Sequence, residues 1–376
     1  MAKILLAAES LDNIVPIKTI LEANGHETMA CPVAIDVLSI VLTEGMEIVI
    51  LQLIEGSDRV LEIVRTIKND DIAKGIPILL LANSEDEPDT ITSGLEAGAD
   101  DYMVEPVSNM ELSTRIDTMV RLKDLGKNIK QARMVMKEEV DMAHYAQFAM
   151  LPTTFPYAED VSFHTEYIAT GDLGGDYYDV TDHEMGRIGI ILADISGHGP
   201  SAALIVSILK SIWDSNKDMT RSPSMLAEMI NDQLLRFTPA ERFASLFHGI
   251  YNINDRSLNY VRCGHPYPFV LRKNGGAIER LEASGDFVGI HKDFYVEEET
   301  IRLEKGDRLL VYSDGLIESC DKQETIYGFD RLTTKLKDNF DMDGATLVSA
   351  LVADTIEFCQ GEKLPDDVTI MLMEAL

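Results

Sequence analysis

Four aspartates stand where they could hold a hard cation. They are Asp176 in Gly174-Gly175-Asp176-Tyr177-Tyr178-Asp179, Asp194 in Ala193-Asp194-Ile195-Ser196-Gly197-His198-Gly199, Asp314 in Ser313-Asp314-Gly315, and Asp366 in Pro365-Asp366-Asp367-Val368-Thr369. Three of them abut apolar runs of strand character: Ile188 to Ala193, Leu309 to Tyr312 and Val368 to Met373. A carboxylate at the end of a buried strand is costly unless a cation or a hydrogen-bond donor meets it. Several such ends on one spot imply an oxygen-rich site of the kind Mg²⁺ and Mn²⁺ prefer. The pairs Gly174-Gly175 and Gly197/Gly199 let the backbone turn tightly beside it, where a Cβ would crowd the ion. Pro200-Ser201 then predicts the start of a helix.

Other reactive side chains read differently. Cys31, Cys263, Cys320 and Cys359 are widely spaced, with no Cys-x-x-Cys pair, which excludes a disulfide framework and a zinc knuckle. Cys263 has no phosphate-cradling loop with an arginine, so it reads as core rather than nucleophile. His198 is a candidate proton donor to a leaving alkoxide, weighed against a structural role. His265 reads as a loop anchor. Asp179 either supports the site or makes hydrogen bonds within its own loop, and no arginine is evident as a phosphate clamp.

The positioning elements fall into two halves. A chain of 376 residues with 45% hydrophobic residues predicts two domains, each with a sizeable core. The formal net charge of −31 repels phosphate backbones and anionic membrane surfaces, so neither nucleic acid nor membrane is expected as a partner. The apolar start Ile4 to Ala8 is cut short by Glu9 and Asp12. No run approaches the roughly 18 apolar residues of a membrane helix. A cytoplasmic protein with reduced thiols is the expectation.

From residue 1 to about 122, apolar runs (Lys3 to Ala7, Ile48 to Leu53, Ile76 to Leu81) alternate with amphipathic segments such as Asp58 to Lys68. That alternation predicts an α/β doubly wound parallel sheet. With Gly98-Ala99-Asp100-Asp101-Tyr102 and Pro106, the segment resembles a response-regulator receiver domain. The resemblance places Ala8 and Glu9 at the family's acidic pair, Gln52 at its phosphorylated aspartate, Ala82 at its threonine or serine, and Glu105 at its lysine. An amide cannot form an acyl phosphate, and Glu105 would repel a phosphoryl group. The expectation is a pseudo-receiver that docks a partner or dimerises, against one that serves the fold alone.

Residues 123–151 read as a helical linker. Leu122, Leu125, Ile129, Ala132 and Met136 make a heptad seam that shifts at Val140 and resumes with Ala143, Gln147 and Met150. It predicts a parallel coiled-coil homodimer, against a lone helix packed on its own domains. Leu151-Pro152 ends it. Residues 152–376 mix hairpin-like strands with the amphipathic helices Ser201–Asp214, Ser224–Phe237 and Thr346–Cys359, and predict an α+β sandwich.

In order along this last segment stand the Gly-Gly-Asp, Asp-Ile-Ser-Gly-His-Gly, Cys263-Gly264-His265-Pro266, Ser-Asp-Gly and Asp-Asp-Val-Thr motifs. The set resembles the SpoIIE and RsbU branch of metal-dependent protein phosphatases related to protein phosphatase 2C. That resemblance implies an αββα sandwich with two Mn²⁺ or Mg²⁺ ions between its sheets. It makes Asp194 the bridging ligand, Asp176 and the Ile195 carbonyl ligands of the first ion, and Asp314 and Asp366 ligands of the second, with Asp367 the competing register. It implies hydrolysis of phosphoserine or phosphothreonine by water that divalent cations activate. The implied substrate is a phosphorylated STAS-type anti-sigma-factor antagonist in partner-switching signalling, with an activating protein at the pseudo-receiver. The competing expectation is a scaffold that binds a sigma-factor regulator without hydrolysis. The complete aspartate set of the second half, beside the lost one of the first, favours the enzyme.

Overall fold

The computed structural model describes residues 1–53, 58–83, 88–216, 222–238 and 242–376. They divide into two units, Met1–Met136 and Lys137–Leu376.

Strands apolar at nearly every position must be covered on both faces, and the first unit does this. It runs β1 (Lys3–Ala8), α1 (Leu11–Ala23), β2 (Glu27–Pro32), α2 (Val37–Glu44), β3 (Ile48–Gln52), α3 (Asp58–Asn69), β4 (Ile78–Ala82), α4 (Pro88–Glu96), β5 (Asp101–Val104) and the part of α5 (Asn109–Phe148) up to Met136. The sheet is parallel in the order β2-β1-β3-β4-β5. Leu5 and Val49 pack with Val41 and Val64 of α2 and α3. Ile4 and Ile50 pack on the other face with Ile14 of α1 and Ile116 of α5. This is the doubly wound arrangement the alternation predicts. Gln52 closes β3 with its side chain buried, and its Oε1 accepts from Asn13 Nδ2 at 3.5 Å. Helix α5 continues without a break for 40 residues, through Gly126 and the shift at Val140. Its seam residues Leu122, Leu125, Ile129 and Met136 are exposed. No described helix is long and apolar enough to cross a membrane.

The second unit follows with β6 (Val161–Ile168), β7 (Asp176–Asp182), β8 (Arg187–Ile195), α6 (Pro200–Asn216), α7 (Pro223–Phe237), β9 (Ala244–Asn252), β10 (Ser257–Cys263), β11 (Phe269–Leu271), β12 (Ile278–Arg280), β13 (Glu298–Arg302), β14 (Arg308–Tyr312), α8 (Asp314–Glu318), α9 (Gly328–Asp338), α10 (Gly344–Phe358) and β15 (Val368–Ala375). Two antiparallel sheets form, β13-β10-β9-β8-β7 and β12-β11-β14-β15-β6. Ile190, Leu192 and Phe247 of one interlock with Val311, Met371 and Phe163 of the other. Helices α6 and α7 cover the outer face of the first sheet, with Trp213 and Leu226 against Ile191 and Leu246. Helices α8 to α10 cover the second. The result is an αββα sandwich. Strand β7 has no counterpart in the sequence reading, because three aspartates in seven residues mask its alternation.

Candidate active site

The site grows from the row structure of β7 and β8. Side chains two apart share a face, and Ile188, Ile190 and Leu192 point into the space between the sheets. Asp194 therefore continues that row, and Asp176 continues the row of Tyr178 and Val180. The two strands pair antiparallel with Asp176 directly opposite Asp194. Two carboxylates thus sit side by side at one end of the sandwich seam.

The second sheet meets them. Thr369 of β15 donates through Oγ1 to Asp176 Oδ2 at 2.5 Å. Ser313, the residue after β14, accepts from the Thr369 amide at 2.8 Å and donates to the Asp367 carbonyl at 3.2 Å. Asp314 starts α8 immediately afterwards. A Cβ on Gly315 would collide with the Asp367 carbonyl, so glycine lets α8 begin against the backbone of residues 366–367.

The charges are mutually unfavourable. Burial raises the Asp176 carboxyl well above its ordinary range, and Asp194 raises it further. Asp194 is pushed up to about 8, by burial first and then by Asp314, Asp366, Asp367 and Glu318. Asp314 rises to about 6 through burial, Glu318 and Asp366. Carboxylates from both sheets thus share one electrostatic neighbourhood. No three His, Cys, Asp or Glu side chains among the described residues close around a single point. The donor chemistry nonetheless suits a hard divalent cation. Asp176 Oδ1 is buried with no hydrogen-bond partner among the described residues. A Cβ on Gly175 would lie 2.8 Å from both the Ile195 and Gly197 carbonyl oxygens, so a bare backbone faces those oxygens.

Asp366 and Asp367 are put to different uses. Asp367 is 2% exposed and both its oxygens are taken. Oδ1 accepts from the Thr170 amide at 2.7 Å and hydroxyl at 3.1 Å, and Oδ2 from the Gly175 amide at 2.6 Å. Asp366 is half-buried, and its Oδ1 accepts from the Asp367 amide at 2.8 Å. Asp367 thereby hooks the loop before β7 onto β15. The same loop is gripped from α5, where Gln147 donates to the Gly174 carbonyl at 2.7 Å and accepts from its amide at 3.2 Å.

Other expected residues lie elsewhere. Asp179 is on the opposite face of β7, paired with Lys210 of α6 at 2.7 Å and accepting from Tyr177 Oη at 3.0 Å. It is a strand residue, not a loop residue, and it binds β7 to the helical layer. His198 is exposed on the turn after β8. His265 is buried with Nδ1 2.7 Å from Ser245 Oγ, and burial drives it down to about 3, so it is a neutral anchor. Cys263 is buried and its thiol is pushed up to about 12, which removes it as a nucleophile.

Sequence reasoning missed several participants. Thr369 and Ser313 lay inside quoted motifs, but nothing in spacing says that a hydroxyl points at Asp176. Glu318 could have been found as the i+4 neighbour of Asp314 on a helix. Arg242, which stands in no motif, contacts the Ser196 carbonyl.

Known proteins agree with this architecture. The fold resembles the SiaA-PP2C domain of Pseudomonas aeruginosa, with a TM-score of 0.57 and 17% identity over 65% of this chain and 98% of that one. The second unit therefore has the fold of a PP2C domain. Residues 184–376, just over half of the chain, match the family Stage II sporulation protein E (SpoIIE), and the chain belongs to this family of serine phosphatases. It is 27% identical over 239 residues to phosphoserine phosphatase RsbU of Bacillus subtilis, covering 63% of this chain and 70% of that protein. The first unit is similar to the phosphate regulon transcriptional regulatory protein PhoB of Pseudomonas aeruginosa, 29% identical over 101 residues, or 27% of this chain and 44% of that protein.

Proposed function

We propose that the chain is a Mn²⁺- or Mg²⁺-dependent phosphatase that removes phosphate from serine or threonine of a partner protein. The observation that carries this is Asp194, beside Asp176 on its own sheet and within the field of Asp314 and Asp366 from the other. In this reading Asp194 would be shared by two ions, Asp176 and the Ile195 carbonyl would hold the first, and Asp314 and Asp366 would hold the second. The saturated hydrogen bonding of Asp367 supports Asp366 as the ligand. When bound, the cations neutralise phosphoryl charge and lower the pKa of water. Thr369 and Ser313 orient Asp176, Asp367 holds the Thr170–Gly175 loop in place, and glycines at 175 and 315 keep side chains out of the site. Glu318 adds negative charge at the rim.

The likeness to RsbU supports phosphoserine on a STAS-type anti-sigma-factor antagonist as the substrate, within partner-switching signalling. We place the divisions at 1–122, 123–151 and 152–376, with a homodimer formed along the exposed seam of α5. An activating protein at the receiver-like unit then takes the place of phosphorylation, since Gln52 ends β3. The test is release of phosphate from a phosphorylated STAS protein, with and without Mn²⁺, by the wild type and Asp194→Asn. Turnover without metal, or full activity of Asp194→Asn, overturns the mechanism. Tight binding of the STAS protein with no hydrolysis under any metal supports a scaffold instead.

A further inference from the structure

The turn that leaves β8 carries Asp194 and the Ile195 carbonyl, and its shape is set from outside. Ser196 is held at three points by the chain leading into β9. Its amide donates to the Phe243 carbonyl at 2.9 Å, and its hydroxyl accepts from the Phe243 amide at 3.1 Å. Its carbonyl accepts from Arg242 Nη1, while Nη2 of the same guanidinium donates to Ser201 Oγ at 3.0 Å, in the first turn of α6. Gly197 takes φ +83°, and a Cβ there would strike the guanidinium.

Successive carbonyls leave this turn on different sides. Those of Ile195 and Gly197 both face Gly175, the residue before Asp176. The Ser196 carbonyl between them turns the other way, towards Arg242. We propose that Arg242 is a positioning residue of this centre: by holding the Ser196 carbonyl outward and bridging to Ser201, it keeps the Ile195 and Gly197 carbonyls aimed at the cation site. A planar guanidinium can hold two acceptors in fixed relation, which an ammonium cannot. The inference rests on the reading of Asp176, Asp194 and the Ile195 carbonyl as ligands.

The test is Mn²⁺ binding to the full chain, followed by loss of the free-ion paramagnetic resonance signal. Wild type, Arg242→Ala, Arg242→Lys and Asp194→Asn are compared, with thermal melts in EDTA alongside. The expected result is a loss of affinity of about tenfold in both Arg242 variants. Melting in EDTA stays near the wild type, and millimolar guanidinium restores binding to Arg242→Ala. Wild-type affinity in Arg242→Ala while Asp194→Asn fails to bind overturns the role of Arg242 and leaves the centre standing. Weakened binding that guanidinium does not restore, with a lowered melting temperature in EDTA, also overturns it, as a folding effect. Binding by Asp194→Asn equal to the wild type overturns the centre itself.

Discussion

Asp176 and Asp194 face each other across the β7–β8 pair, and the Thr369 hydroxyl from the opposite sheet donates to the first of them. Two like charges placed directly opposite destabilise a sheet, so this arrangement works against the fold and favours a bound cation. In the cation-free protein the Asp194 carboxyl stands at about 8, against roughly 4 for an unfolded chain. The native state holds the extra proton, so this contribution to stability is complete below the unfolded value and is lost as pH rises through about 8. Thermal melts in EDTA between acid and mildly basic pH should show the wild type falling steadily behind Asp194→Asn. Saturating Mn²⁺ should reverse the ranking at neutral pH.

Neighbouring aspartates should give opposite phenotypes. Asp366→Asn is expected to lose metal binding and activity while its denaturation midpoint barely moves. Asp367→Asn disturbs a buried carboxylate with three donors and should cost about 2–4 kcal/mol of stability. Urea unfolding in EDTA, paired with Mn²⁺ titration, separates them. Equal stability of the two variants would contradict the division of labour.

Part of this site could be seen in the sequence and part could not. Asp194 and Asp314 were legible because each follows an apolar run that had to be a buried strand. Asp176 was found through its glycines, although its own strand was hidden by aspartates on alternate faces. Which member of the Asp366/Asp367 pair is free depends on Thr170 and Gly175, which lie 197 and 192 residues from Asp367 in the chain. No local pattern reports a partner at that distance, and the same holds for Thr369 and Arg242. The parallel sheet of the first unit needed no such partners, since its alternating runs specify both faces at once.

The receiver-like unit should stay unlabelled by acetyl phosphate in the full chain. Gln52→Asp alone should not restore labelling, because Ala8, Ala82 and Glu105 still deny it a cation and an oxygen-binding hydroxyl. Intact-protein mass spectrometry reads the outcome directly. A mass increase of one phosphoryl group on the wild type would end the pseudo-receiver reading.

Leu125 and Ile129 are exposed on α5 at seam positions. Replacing both with glutamate should convert a dimer to a monomer in light scattering, leaving the circular dichroism of the two units unchanged. A dimer that survives the double substitution would put the interface on another surface.

The hooks from Asp367 to Thr170 and Gly175 span nearly the whole second unit. Contacts between such distant positions are slow to form, because a long loop must close before they contribute. During refolding, helices and hairpins should therefore return first and metal affinity last. A chain stalled before β15 docks would look folded by its secondary structure and still be catalytically silent.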